Sequence, residues 1–549
     1  MDINNFQGLI KKNIARFIRN YLIKGFMELN TKNICIIGIF VSFILFILML
    51  VYVWNFTVDD AFISFRYSEH LANGFGVVWN ISQPPVEGYT NFLWILIISF
   101  LFLFKFNPVF STKVIGLFSA LGIILLFWFI TNDFFKDRKK SLIAFTVSSI
   151  FLLINPYTAI HAVSGLETMF YSFLLLGVMY CAWQIIISPS SKFIWLFAFT
   201  ALLLSLTRPE GVLISLALIM SLIYISIKKI NNSINLTSFL PILVLYIIPI
   251  IIYNVFRVSY FHALFPLPFL VKIVYGITFP IEFLNALFYL IPFILIIVIP
   301  LFFKKQGIKI NNNNLKNFKY LLLILGIMFI FANIVYVNTP LMNFSQRFFY
   351  PTFVLFYLTF GITISILFNE IEKNKNTNSE KNKRIILTSA IIIILLVLSS
   401  YNGINDLKIQ HDYGISFNNS YIPIGKALSP FSDDNYTVAF ADAGAVAYYS
   451  GWNFLDLGGL NDKFIAENGV TSEYLEQKNP ELVIFASVDG VILTPGNSYN
   501  YVLENNYTRL DPIKNSKGYY FIPFLKPNIK DFDSIKNSLE IVSKESNSN

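Results

Sequence analysis

Apolar positions in this chain fall in long unbroken runs, not on alternating faces. Residues 34–54 carry no charge, and about 20 apolar residues suffice for a helix to cross about 30 Å of hydrocarbon. Similar runs at 34–54, 90–106, 112–131, 141–155, 167–187, 192–206, 210–227, 238–256, 281–303, 319–337, 347–368 and 385–400 predict a polytopic α-helical membrane protein. About 11–12 apolar helices are expected. After residue 401 the pattern changes. "YTVAFADAGAVAYYSGWNFLDLGGLND" reads as strand, turn, helix, strand and loop, and "TSEYLEQKNPELVIFAS" as helix, Asn-Pro break and strand. Short strands alternating with helices predict a small α/β domain.

The division expected is therefore a basic N-terminus at 1–32, a transmembrane domain at 33–401 with a long outer loop at 55–89, and an α/β domain at 402–549. Composition agrees: 55% of residues are hydrophobic and 13% charged, with mean hydropathy +0.62, against about 25% charged in soluble domains. Cys35 and Cys181 both lie in apolar runs and predict neither a disulfide framework nor a thiolate metal site. His70, His161, His262 and His411 have no metal-ligand spacing. No nucleic-acid partner is expected; membrane lipids are.

Lys and Arg collect at the N-terminus, at 136–140, 228–229, 304–309 and 372–384. Short basic loops stay in the cytoplasm. Loops 55–89, 155–166, 207–209, 257–280 and 338–346 then face outward, as does the chain after 401, giving a multi-pass cell-membrane protein with a cytoplasmic N-terminus and an extracytoplasmic C-terminal domain. Residues 6–26 set Phe, Leu and Ile at helical spacing among Lys11, Lys12, Arg16, Arg19 and Lys24, as in an interfacial helix or a plain positive-inside flank. Segment 369–384 reads as a polar linker. One conflict is built in: residues 90–131 look like two helices where a single net crossing is required, so one piece is expected to be re-entrant or interfacial.

Directly after the first run, Asp59 and Asp60 stand side by side, and the outer loop continues "GFGVVWNISQPPVEGYTNFLW". Trp79, Glu87, Tyr89 and Asn91 are candidates for sugar contact, since aromatic faces stack on sugar rings while carboxylates and amides bond hydroxyls. The acidic pair and its loop resemble the GT-C class of membrane glycosyltransferases. More narrowly, "DDAFISFRYSEHLANGFGVVWN", "PVEGYTNFLW", "SGLETMFYSFLLL", "LTRPEGVL", "FHALFPLPFLVK" and "DAGAVAYYSGWNFLDLGGLND" resemble a bacterial and archaeal family related to the mycobacterial terminal β-(1→2) arabinofuranosyltransferase. The chain departs at Pro266-Leu267, where the family often has Pro-Asn, and at "NTPLMNFSQRFFYP", where it often has an Asp.

The resemblance implies transfer of one sugar, hexosyl or pentosyl, from a polyprenyl-phosphate donor to an acceptor glycan, glycolipid or glycoprotein outside, with inversion. A flippase for lipid-linked glycan is the alternative. The attacking hydroxyl needs a general base, for which Asp60, and then Asp59, are the candidates. Either could also help hold a divalent cation, Mg or Mn. The leaving phosphate needs fixed cations, and arginine's planar fork suits it: Arg347 first, then Lys272, Arg208 and Arg257. Glu167 and Glu210 each begin an apolar run, where the helix dipole stabilises an acid; an ion pair of Glu210 with Arg208, or a substrate contact, stays open. His161 and His262 carry minor weight, Arg66 reads as structural, and Asp442, Asp456 and Asp462 read as caps or acceptor contacts.

Overall fold

The computed structural model describes residues 31–81, 83–187, 190–227, 239–274, 343–373, 400–401, 403–493 and 496–548. The expected helix at 6–26, the runs at 281–303 and 319–337, and nearly all of 385–400 lie outside the described residues. The apolar part folds into α1 (Thr31–Tyr52), α2 (Asp59–Ala72), α3 (Phe92–Leu103), α4 (Pro108–Phe134), α5 (Arg138–Ile154), α6 (Pro156–Val163), α7 (Thr168–Ile187), α8 (Ser191–Thr207), α9 (Glu210–Ile227), α10 (Leu240–Phe261), α11 (Leu267–Val274) and α12 (Tyr350–Lys373). Among the described residues six helices are long and apolar enough to cross a membrane, or seven if α5 and α6 are one bent span. The span in α12 is 94% buried, against 22% for α1 and 17% for Leu240–Phe261. Helix α12 is therefore central, packed on α5 and α7, while α1 and α10 turn apolar faces outward.

Helix α3 has 12 residues, about 18 Å at 1.5 Å per residue, short of the hydrocarbon thickness. Helix α4, with 27 residues, is long enough alone. Where an outer loop is expected at 155–166, the chain instead bends by 65° and continues as α6. Asn155 causes the bend. Preceding Pro156, it is forced extended (φ −72°, ψ 121°), and its side chain accepts from Tyr157 N–H to start the new helix. The bend turns α6 inward and buries His161. The expected linker at 369–384 begins as the last turn of α12, through Lys373.

Beyond 403–419, here α13, and α14 (Tyr421–Leu428), the C-terminal domain forms strands β1 (Thr437–Phe440), β2 (Asn453–Asp456), β3 (Leu482–Val488), β4 (Val491–Ile492), β5 (Thr508–Arg509), β6 (Ile513–Ser516) and β7 (Tyr519–Leu525). The sheet order is β2-β1-β3-β7-β5, with β1 parallel to β2 and β3, and β7 antiparallel to β3 and β5. Helix α15 (Ala445–Ser450) joins β1 to β2, and α16 (Lys463–Asn468) and α17 (Ser472–Lys478) precede β3. Strand–helix–strand at 437–456 and helix–strand at 472–488 follow the sequence pattern.

Loop 55–89 glues this domain to the membrane part. Arg66 is buried, its Nε donating to Trp79 O (2.8 Å), one Nη to Ala447 O, and the other to Asn80 Oδ1 (3.0 Å) and Trp452 O (2.8 Å). Trp79 Nε1 and Asn80 Nδ2 both donate to Phe454 O (3.1 Å each). Replacing Arg66 with Met leaves three buried carbonyls short of a donor. A loss of about 3 kcal/mol is expected, read as a lower melting temperature in detergent. Arg66→Lys should fail to restore it, because an ammonium lacks the planar fork that these acceptors surround.

Candidate active site

Five side chains from four segments, acidic and basic in alternation, form one chain of contacts. Arg347 Nη1 lies 3.9 Å from Asp60 Oδ2, and its Nη2 is 3.2 Å from Glu167 Oε1. Arg208 Nε is 3.8 Å from the same Glu167 oxygen, and its Nη2 is 3.1 Å from Glu210 Oε1. Asn91 Nδ2 donates to Glu167 Oε2 (3.0 Å) and to Ser64 Oγ (3.1 Å). Arg208 also lies over the rings of Tyr171 and Phe348, 5.3 and 5.1 Å from their centres. Burial of Glu167 pushes its carboxyl up, but Arg347, Arg208 and the Asn91 amide outweigh it and hold it below the ordinary value. Its position just before α7 adds the helix dipole.

The adjacent aspartates have different surroundings. Asp59 accepts from Gly444 N–H (2.9 Å) and Ala445 N–H (2.8 Å), one with each oxygen, and so satisfies the amides that open α15. Its own N–H donates to Tyr413 Oη (3.3 Å). Gly444 is required there: a Cβ would collide with the Asp59 backbone and carboxylate. Burial first, then the Asp442 charge, and then Asp60 push the Asp59 carboxyl well above its ordinary value, against the pull of the two amides. Asp442 accepts from Tyr421 Oη (2.7 Å) and is also raised, by burial first and by Asp60. Asp60 keeps 20% of its side chain exposed and faces Arg347.

Arg347 is delivered by a strained turn. Ser345 and Gln346 both have left-handed backbone, φ 46° and 59°, which costs non-glycine residues about 1–2 kcal/mol each. His161 Nε2 donates to Ser345 O (3.0 Å), and Gln410 Nε2 to Ser345 Oγ (3.2 Å). Strain of this kind persists only where surroundings over-determine it.

Of the residues singled out from the sequence, Asp60, Arg347, Arg208, Glu210 and Asn91 are gathered here, with Asp59 at the edge. Others are not. Arg257 grips Glu87 through three bonds of 2.7, 2.8 and 3.1 Å, so the two satisfy each other and tie loop 55–89 to α10. Trp79 is buried against the C-terminal domain, and Tyr89 in an aromatic cluster with Tyr67, Phe92 and Phe261. His262 is an exposed left-handed cap of α10 (φ 52°). Lys272 lies on α11, which starts beside the loop through Leu267 N–H to Glu87 O (2.9 Å); its side chain is outside the described part. Asp456 and Asp462 serve turns: Asp456 accepts from Gly458 and Asn461, Asp462 from Ile465 N–H. Among the described residues no group of three or more His, Cys, Asp or Glu is placed to hold a metal ion. Each Asp59 oxygen already accepts from one backbone amide.

Comparison with known proteins adds the fold. A family model described as a domain of unknown function (DUF8728) matches residues 409–523. No curated protein matches the chain. Among solved structures, ArnT from Cupriavidus metallidurans bound to undecaprenyl phosphate is similar at TM-score 0.57 and 10% identity, over 89% of this chain and 97% of that one. Its apo state gives TM-score 0.50 and 10% identity over 90% and 98%. The archaeal oligosaccharyltransferase AglB from Archaeoglobus fulgidus, in complex with an inhibitory peptide and a dolichol-phosphate, gives TM-score 0.47 and 11% identity over 89% and 74%. The likeness to ArnT is one of fold: a GT-C-like helical membrane domain followed by an α/β domain.

A carboxyl raised in the folded state binds its proton more tightly there than in the unfolded chain. Its stabilising contribution is full at low pH and is lost as pH rises from the ordinary value of about 4 through the folded one. Asp442→Asn keeps an oxygen for Tyr421 and removes the charge that repels Asp59. Its melting temperature should gain on that of the unmodified protein as pH is raised above about 4, measured by thermal unfolding across a pH series.

Proposed function

We propose that the chain is a GT-C glycosyltransferase that moves a single sugar from a polyprenyl-phosphate donor to a glycan, glycolipid or glycoprotein acceptor on the extracytoplasmic face. The observation that carries this reading is the approach of Asp60 to Arg347, 3.9 Å, which sets a proton acceptor beside a cation. Arg347 Nε is buried and has no hydrogen-bond partner among the described residues, leaving a donor for a phosphate oxygen. The ArnT fold, solved with undecaprenyl phosphate bound, supports that class of ligand. The arabinofuranosyltransferase-like motifs supply several of the residues concerned, among them Asp60, Asn91, Glu167 and Arg208.

In this reading the acceptor hydroxyl attacks the anomeric carbon as Asp60 takes its proton. The bond from that carbon to the phosphate oxygen breaks, and a polyprenyl phosphate monoester departs. The second negative charge appears on the phosphate while the proton neutralises Asp60, so the total charge in the cavity is unchanged across the step. Arg347 faces the growing charge. Glu167 and Arg208 hold Arg347 in place, and Lys272 on α11 is a candidate second cation. Asp59, turned onto two amides, offers no nucleophile, so a single displacement with inversion is the outcome.

Purified protein analysed by native mass spectrometry should carry a polyprenyl-phospho-sugar whose mass identifies the donor. With that lipid as donor, Asp60→Asn should lower turnover by about 10²–10⁴-fold while keeping lipid binding. Arg347→Gln should lose both. An Asp60→Asn enzyme with unchanged turnover rules this assignment out.

A further inference from the structure

Helix α13 places Asp406, Gln410, Tyr413 and Phe417 at the spacing of one helix face, and together they reach the turn at Ser345, the backbone of Asp59 and α2. Asp406 meets Ser345 and Tyr157. Gln410 donates to Ser345 Oγ. Tyr413 Oη receives the Asp59 N–H. Phe417 packs on Phe62 of α2, 5.5 Å between ring centres. We propose that α13 is a brace that sets the separation of Asp60 and Arg347, with Gln410 and Tyr413 as its positioning residues. This rests on the roles given above to Asp60 and Arg347.

Both arms of the site need such a support. The turn before Arg347 holds two successive non-glycine residues with left-handed backbone, a geometry that reverts unless it is pinned. Gln410 pins it from one side and His161 from another. The acidic arm follows α1, which ends at Tyr52. Residues 53–58 must then be fixed for Asp60 to face Arg347. Helix α13 does this at close range. His411 Nδ1 donates to Tyr52 O (2.6 Å), and its ring stacks on Tyr52 at 4.0 Å. Gly414 lies so near Asn55 and Phe56 that a Cβ would sit 2.9 Å from backbone atoms of both. Phe56 is wedged between Tyr413 and Phe344, edge-on at 5.7 Å from each, so the two arms also share one aromatic ring.

The brace continues into the C-terminal domain. Directly after α13, Tyr421 donates to Asp442, the carboxyl whose charge acts on both Asp59 and Asp60. Docking of that domain thereby reaches Arg347 through one helix. The two contacts predict separable effects. Gln410 acts on the cation and hence on donor binding; Tyr413 acts on the acid and hence on the chemical step.

The test uses full-length protein in detergent, with undecaprenyl phosphate as the binding probe and the copurified donor for kinetics. Gln410→Ala and Ser345→Ala should each weaken undecaprenyl phosphate binding and raise the donor KM by about three- to tenfold. The double variant should be no worse than either single one. Tyr413→Phe should lower kcat and leave donor KM unchanged. General loss of folded protein lowers apparent kcat alone and makes Gln410→Ala indistinguishable from Tyr413→Phe. That result, or effects of Gln410→Ala and Ser345→Ala that multiply, overturns the brace. If Arg347→Gln binds undecaprenyl phosphate as the unmodified protein does, the lipid-phosphate reading fails first and the brace falls with it. If Arg347→Gln abolishes binding while Gln410→Ala leaves it unchanged, the brace alone fails.

Discussion

A carboxylate buried in apolar surroundings is costly unless cations and hydrogen-bond donors surround it. Glu167, 2% exposed, meets that condition by recruiting three distant parts of the chain: Arg208 after α8, Arg347 before α12, and Asn91 at the entry to α3. Removing both arginines would leave an uncompensated buried charge, a loss of about 3–5 kcal/mol. The pairing is therefore a constraint on topology as well as a local contact. It obliges the ends of helices that are far apart in sequence to meet at one level of the bundle, and that level is where Asp60 arrives from α2. Glu167 thereby holds both arginines in fixed positions.

The second constraint is the joint between loop 55–89 and the C-terminal domain. Loops that carry chemistry need a rigid platform, and here the platform is assembled from both domains. Arg66 bridges Trp79 and Asn80 of the loop to Ala447 and Trp452 of the domain, and Asp59 closes the start of α15. These are bonds from charged groups to backbone, directional and buried, and they fix orientation more firmly than apolar contact between two smooth surfaces. The domain thus completes the shape of the loop on which Asp60 sits.

The helices at 31–52, 168–187 and 210–227 were legible because hydrocarbon demands long apolar runs, and the strand–helix–strand at 437–456 because turn residues punctuate it. The acidic pair and most of the cations were legible as residue types beside the loops that join apolar runs. Their pairing was not. Nothing in the sequence says that Arg257 meets Glu87 while Arg347 meets Asp60 and Glu167, since all are arginines near carboxylates and only tertiary distance separates them. Trp79 and Tyr89 misled in the same way: aromatic residues suit sugar rings and packed interiors equally well, and here both are buried. Gln410 and Tyr413 gave no signal of their own, because a helix face that touches two loops looks like any amphipathic stripe. Ser345 and Gln346 hide their left-handed backbone because neither is the glycine that would have announced it.

Adjacent identical side chains with different tasks follow from helix geometry. Successive residues on α2 point about 100° apart, so Asp59 and Asp60 cannot share a partner. The first turns to the amides of Gly444 and Ala445, which take both its oxygens. The second turns to Arg347. An anion at the first turn of a helix is favoured by the dipole, which for Asp59 offsets only part of the cost of burial. Docking the domain thus holds Asp59 on the two amides, while Asp60 stays beside Arg347.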